Sequence, residues 1–277
     1  MKVNRFLVIT ALVAVGGCAN ITPSQRHLQS VEQQSALALS IKRFLPDSLF
    51  PPSNVGMMVR STRTGQIIYE NNSKILFTPA SNQKLITSLA ALSSLGPYYR
   101  LNTSVYLDSL ERYIYLRGGG DPLLSPEDLH DFADVVSGKI HQKTGWTICC
   151  DPSIFDSVCY GPGWMWDDES DPSGMCVSGL NVNGNTIDVC VEGGTTTGAS
   201  PTIRFEPASS YIGMTGTVVA GDSNAQGPLV HRSVLPQINV VSVAGAIAPG
   251  TKQKYSLPVW KPELFAGTLL KEALHGR

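Results

Sequence analysis

The stretch VGMMVRSTRTGQIIYENNSKILFTPASNQKLITSLAAL, residues 55–92, decides how the chain is read. It opens with two short apolar runs, Val55 to Arg60 and Gln66 to Glu70, joined by Ser-Thr-Arg-Thr-Gly65, which is the pattern of a β-hairpin. From Ser81 the period changes. Leu85, Ile86, Leu89 and Leu92 recur at the spacing of one helix face until Gly96 and Pro97 end the element. Ser81 therefore opens a predicted helix, and Lys84 lies one turn further on the same face. That spacing suits chemistry. A serine hydroxyl is a poor nucleophile until a base takes its proton, and a lysine amine can be that base when burial or a nearby cation holds it neutral. A helix N-terminus adds partial positive charge and open backbone N–H groups, which favour the anion that develops on attack. Taken alone, Ser-x-x-Lys also fits a plain capping serine.

Downstream of Tyr98 the character shifts to strands and turns. Tyr113-Ile-Tyr-Leu116 leads into Gly118-Gly-Gly-Asp-Pro122, and Ser125 with Pro126 and Asp128 then has the make-up of a helix cap with proline at the first helical position. Leu129, Phe132, Val135 and Val136 give that helix a buried face. Further strands are predicted at Trp146 to Cys150, Thr186 to Val191, Thr202 to Phe205, Gly216 to Ala220 and Gln237 to Val243, with a last helix over Pro262 to Leu274. Gly118 to Gly120 read as a turn, because no Gly-Lys-Ser/Thr follows to make a phosphate cradle, and Asp121 reads as a turn residue. Trp164 and Trp166 with Asp167 and Asp168 fit either a carbohydrate or peptide groove or buried aromatics beside exposed acids.

Working toward the N-terminus, Leu28, Val31, Leu37, Ile41 and Leu45 keep a loose helical period that Pro46 stops. Before it, Lys2 and Arg5 precede the apolar run Phe6 to Val15, too short to span a membrane but suited to a secretory signal. Val15-Gly16-Gly17-Cys18 resembles a bacterial lipobox, with Cys18 lipidated as the mature N-terminus; an ordinary signal with an incidental cysteine is the alternative. An exported chain meets an oxidising compartment, so Cys149, Cys150, Cys159, Cys176 and Cys190 read first as disulfide partners with one thiol left over. No Cys-x-x-Cys occurs and His130 and His141 stand at no zinc-like spacing, so neither a metal nor a cofactor is expected.

Composition bounds the rest. At 277 residues and 42% hydrophobic content the chain can fill one large core or two modest ones, which excludes global disorder. Twenty-one Lys and Arg balance 22 Asp and Glu, so no basic patch points to nucleic acid. The 26 Gly and 18 Pro imply many turns, hence an α/β or α+β chain rich in strands rather than a helical bundle, with no solenoid repeat.

The run 55–92 closely resembles the start of the penicillin-binding and β-lactamase fold: a hairpin, then Thr78-Pro-Ala-Ser81, then the nucleophile helix. Leu116-Arg-Gly-Gly-Gly-Asp-Pro-Leu123, Asp151-Pro-Ser-Ile-Phe155 and Pro162-Gly-Trp-Met-Trp-Asp167 resemble the inserted region of the D-alanyl-D-alanine carboxypeptidases of the penicillin-binding protein 4 type. The apolar run and Cys18 set a signal peptide at 1–17 and a polar tether at 18–27, and the resemblance implies the first part of a transpeptidase-like domain at 28–100 and a strand-rich inserted region at 101–277. It implies a serine carboxypeptidase of peptidoglycan stem peptides, with Ser81 attacking the penultimate D-alanine carbonyl and Lys84 as base. β-Lactams are then expected covalent inhibitors, and a lipid anchor on Cys18 places the chain at a periplasmic membrane surface. Family members carry Ser-x-Asn and Lys-Thr-Gly motifs after the insertion; no Ser-x-Asn occurs here, and Lys143-Thr-Gly145 sits inside the inserted region, where chance explains it. A truncated chain is the expectation, with exposed sheet edges that make it poorly soluble alone. The alternative is an incomplete fragment or paralogue that binds cell-wall peptide or protein partners without turnover.

Overall fold

The computed structural model describes residues 36–43, 55–142, 144–165, 168, 171–196, 198–232 and 237–276. The expected signal peptide, Cys18, the tether, Lys143, Trp166 and Asp167 lie outside the described residues, as does most of the helix expected over 28–45, of which 36–43 is helical. The chain divides into two compact units, Met1–Pro97 and Tyr98–Arg277.

In the first unit, β1 (Met57–Arg60) pairs antiparallel with β2 (Ile67–Asn71), Met58 opposite Glu70 and Val59 opposite Tyr69. The turn between them closes with Gly65 N–H donating to Ser61 O at 2.8 Å and Ser61 N–H donating to Gln66 O at 2.8 Å. Gly65 has φ 74°, a left-handed conformation that glycine adopts without the cost a side chain would bring. Helix α1 (Gln83–Leu95) follows, and Gly96 ends it with its N–H on Leu92 O at 3.1 Å. The apolar stripe expected from the sequence is present but uncovered: Leu85, Ile86, Leu89 and Leu92 are each more than half exposed, and α1 has no buried residue.

The second unit has a true core. One sheet runs β3-β4-β5, from β3 (Ser104–Asp108), β4 (Tyr113–Arg117) and β5 (Thr147–Asp151), with β3 antiparallel and β5 parallel to β4. The crossover from β4 to β5 is α2 (Pro126–Ser137), whose start matches the sequence signal. Ser125 Oγ accepts from Asp128 N–H at 3.1 Å and Asp128 Oδ2 accepts from Ser125 N–H at 2.8 Å, a reciprocal capping box. A second sheet, β11-β6-β7, is antiparallel and built from β6 (Thr186–Glu192), β7 (Thr202–Glu206) and β11 (Lys252–Pro258). A third, β8-β10-β9, uses β8 (Gly213–Ala220), β9 (Leu229–Arg232) and β10 (Val240–Ile247). Helix α3 (Pro262–His275) closes the unit. Alternation along β6 sends Ile187, Val189 and Val191 inward to join Ile114, Leu116, Leu129, Phe265 and Leu270 in one apolar cluster.

Three strands of this unit are absent from the sequence reading. β3 is short, β9 carries the buried Arg232, and β11 shows Lys252 and Lys254 on its outer face, where they pair with Glu192 and Asp188 at 3.2 and 2.8 Å. β10 begins at Val240 rather than Gln237, and just before it Asn239 is held by Trp260, its Oδ1 accepting from Trp260 N–H at 2.7 Å and its Nδ2 donating to Trp260 O at 3.0 Å.

Gly118 to Gly120 form a close backbone crossing. A Cβ on Gly118 would stand 2.1 Å from Gly179 O, and Gly120 N–H donates to that carbonyl at 2.8 Å. Asp121 is a turn residue, its Oδ1 accepting from Leu123 N–H at 3.0 Å. Gly118→Ala should therefore lower stability by about 1–3 kcal/mol through forced backbone displacement, and Ser125→Ala by about 1 kcal/mol through the lost cap, both read by urea unfolding. A Gly118→Ala chain as stable as the parent contradicts the crossing.

Candidate active site

The site expected from the sequence comes together within one helical turn. Lys84 Nζ lies 3.3 Å from Ser81 Oγ, within hydrogen-bond reach. Ser81 does not act as the helix cap that its position suggested. Asn82 flanks the helix with αR backbone angles and makes no side-chain cap, because its Oδ1 already accepts from Ala80 N–H at 2.9 Å. The coil instead winds up one residue at a time: Gln83 N–H donates to Ala80 O, Lys84 N–H to Ser81 O and Leu85 N–H to Asn82 O, at 3.0 to 3.1 Å. Ser81 Oγ is thereby released from capping, and it accepts from Lys84 Nζ. Both residues are exposed.

The model of the D-Ala-D-Ala carboxypeptidase 3 (S13) family matches residues 37–277. The chain belongs to this family. It is 30% identical over 250 residues to a D-alanyl-D-alanine carboxypeptidase of Actinomadura sp. (strain R39), covering 84% of this chain and 46% of that protein. It is 24% identical over 229 residues to the D-alanyl-D-alanine carboxypeptidase DacB of Haemophilus influenzae, covering 80% and 48%. The crystal structure of penicillin binding protein 4 (dacB) from Haemophilus influenzae shares the fold, with TM-score 0.63, 22% identity and coverage of 90% of this chain and 53% of that one. The same protein complexed with a novel β-lactam superposes with TM-score 0.56. This S13 chain spans about half the length of the curated relatives it matches.

Other residues singled out by sequence resolve differently in the S13 chain. Thr144 and Gly145 of the Lys-Thr-Gly run belong to the second unit, between α2 and β5, and Ser81 to the first. Trp164 is partly exposed and packs 5.7 Å from the Tyr160 ring, which meets Trp260 edge-on at 6.0 Å, while Asp168 Oδ2 accepts from Met165 N–H at 3.0 Å within its own loop. Among the described residues no three His, Cys, Asp or Glu side chains gather as metal ligands. One polar pair escaped the sequence reading: Ser242 Oγ and His231 Nδ1 lie 2.8 Å apart across β10 and β9. The antiparallel register of β9 against β10 sets Ser242 directly opposite His231, and residue spacing alone does not give that register.

The cysteine expectation needs correction. One disulfide forms, Cys159–Cys176, and Cys149, Cys150 and Cys190 are free thiols. Cys149 and Cys150 are neighbours on β5, so they point to opposite faces. Cys150 packs against Gly267 of α3, and burial pushes its thiol up to about 11. Cys190 stands mid-strand on β6 with Arg204 and Lys254 opposite it on the flanking strands. Alkylation of the unfolded, unreduced chain should tag Cys149, Cys150 and Cys190 and leave Cys159 and Cys176 linked in the peptide mass map. A bridge that includes Cys149 or Cys190 contradicts the fold.

Proposed function

We propose that the chain carries the nucleophile and base of a serine-type D-Ala-D-Ala carboxypeptidase acting on peptidoglycan stem peptides, and the 3.3 Å approach of Lys84 Nζ to Ser81 Oγ supports it most directly. Ser81 Oγ attacks the carbonyl carbon of the penultimate D-alanine while Lys84 takes the hydroxyl proton. The tetrahedral oxyanion collapses, Lys84 returns the proton to the leaving amine, and free D-alanine departs. Water then adds to the acyl-enzyme and restores Ser81. The amides of Gln83, Lys84 and Leu85 are spent within the helix start, which points to the N–H of Ser81 itself as one oxyanion donor.

The reaction asks for more than this pair. A second oxyanion donor is worth roughly 3 kcal/mol in comparable enzymes, a cation must grip the terminal carboxylate, and the lysine works as a base only in dry surroundings. The uncovered stripe of Leu85, Ile86, Leu89 and Leu92 is the natural seat for a polypeptide surface that supplies them. The same exposure favours a second reading, in which the chain takes up cell-wall peptide without turning it over.

The address belongs to the proposal too. Lys2, Arg5, the run Phe6 to Val15 and Cys18 support export and lipid anchoring at the periplasmic face of a membrane. No helix among the described residues is long and apolar enough to cross a membrane. The β-lactam complex of the solved relative supports β-lactams as covalent inhibitors here.

Release of D-alanine from a diacetylated Lys-D-Ala-D-Ala peptide tests the reading. The chain should release it, Ser81→Ala should not, and Lys84→Met should be slower by about 10²–10⁴-fold. Release that survives in Ser81→Ala overturns the assignment, and binding of the peptide with no D-alanine released selects the second reading.

A further inference from the structure

The second unit contains a groove of about 670 Å³ between α3 and β5. Its volume lies within the range of roughly 300–1,000 Å³ of small-ligand sites. Ile148 on β5 and Leu264 and Leu274 on α3 supply apolar wall, and the Cys150 thiol lies in it. Thr147 also lines the groove. The groove runs over the face of β5 to which Ile148 and Cys150 turn and continues past the start of the strand at Thr147.

β5 has a free edge, being the outer strand of the order β3-β4-β5. Thr147 N–H donates to Arg112 O at 3.0 Å and Asp151 O accepts from Gly118 N–H at 3.0 Å, so odd-numbered residues turn their backbone groups toward β4. In a parallel pair the alternate residues face the other way. Ile148 and Cys150 therefore offer N–H and C=O groups on the groove side, the arrangement that accepts an extended peptide alongside a sheet.

Charge decides the polarity of the occupant. Lys271 and His275, one turn apart on α3, line the groove, and no described carboxylate does. Both are exposed, and no described carboxylate forms an ion pair with Lys271. The acid of α3 beside Cys150 and Tyr211, Glu263, is eight residues before Lys271, about 12 Å along the helix axis. One end of the groove is thus cationic, its middle apolar and its floor an open strand edge.

We infer that this groove binds a short apolar peptide by its free C-terminal carboxylate, with Lys271 and His275 holding the carboxylate, Ile148, Leu264 and Leu274 packing its side chains, and β5 pairing with its backbone. The site lies in the other unit from Ser81 and stands independently of the carboxypeptidase reading.

Cys150 provides the readout, with Cys149 and Cys190 as controls in the same chain. The full chain is modified with methyl methanethiosulfonate and the three thiols are followed separately by peptide mass spectrometry. Acetyl-trialanine at about 10 mM, enough to fill a site of millimolar affinity, should slow modification of Cys150 at least about threefold and leave Cys149 and Cys190 unchanged. Its C-terminal amide should not protect. Lys271→Gln should remove the protection by the acid, and Lys271→Arg should keep it. Equal protection by acid and amide, protection by sodium acetate alone, protection by decanoate equal to that of the peptide, or no protection by acetyl-trialanine overturns the inference.

Discussion

The contact between Lys84 Nζ and Ser81 Oγ is the interaction on which the functional account rests, and it is a product of local backbone geometry. It needs Ser81 in the winding turn just before α1, so that a residue three positions on comes back over it. It also needs Ser81 to be free of the capping duty that a serine before a helix usually takes. The winding backbone secures the second condition, because the N–H groups of Gln83, Lys84 and Leu85 already donate to the carbonyls of Ala80, Ser81 and Asn82, and Gly96 and the turn at Gly65 limit the elements around it. Nothing in this arrangement draws on a distant core, which explains how a unit without one fully buried described residue still presents a defined pair.

The second unit is the physical opposite. Its three sheets each have only three strands, and their inner faces meet α2 and α3 in a continuous apolar cluster. Phe265 sits at its centre with Tyr211 stacked 5.7 Å away, and burial of one such side chain is worth about 1.5–3 kcal/mol. Close backbone crossings such as Gly118 on Gly179 let strand ends approach without side chains between them. The outer face of β6 adds an ion-pair lattice around Glu192 and Arg204, which lie 2.9 Å apart, but exposed pairs of this kind contribute little.

What the sequence made legible is what neighbouring residues decide. The hairpin at 57–71, α1, the Ser125 capping box, the alternating β6 and α3 all follow from period and punctuation within a dozen residues, and the structure has each of them. The family, too, was legible from the Ser81 segment and the glycine-rich run at 116–123, because those motifs are contiguous. β9 was hidden because its inward face carries the buried Arg232, and β11 because its outward face is polar and its partner β6 lies about 60 residues back along the chain. The Ser242–His231 pair depends on the register of β9 against β10 and the groove at β5 on strand order, and neither is fixed by residue spacing alone. The cysteines misled for the same reason: count and compartment favour pairing, but adjacent positions on one strand face apart, so Cys149 and Cys150 cannot bridge to each other, and both stay free with Cys190.

The central claim is that Ser81 is a nucleophile made ready by Lys84. It is tested most directly by incubating the purified, folded chain with benzylpenicillin and locating the covalent adduct by intact-mass and peptide mass spectrometry. The account predicts a single acyl group, carried by Ser81. A folded chain that acquires no acyl group, or acquires it on another residue, contradicts the account.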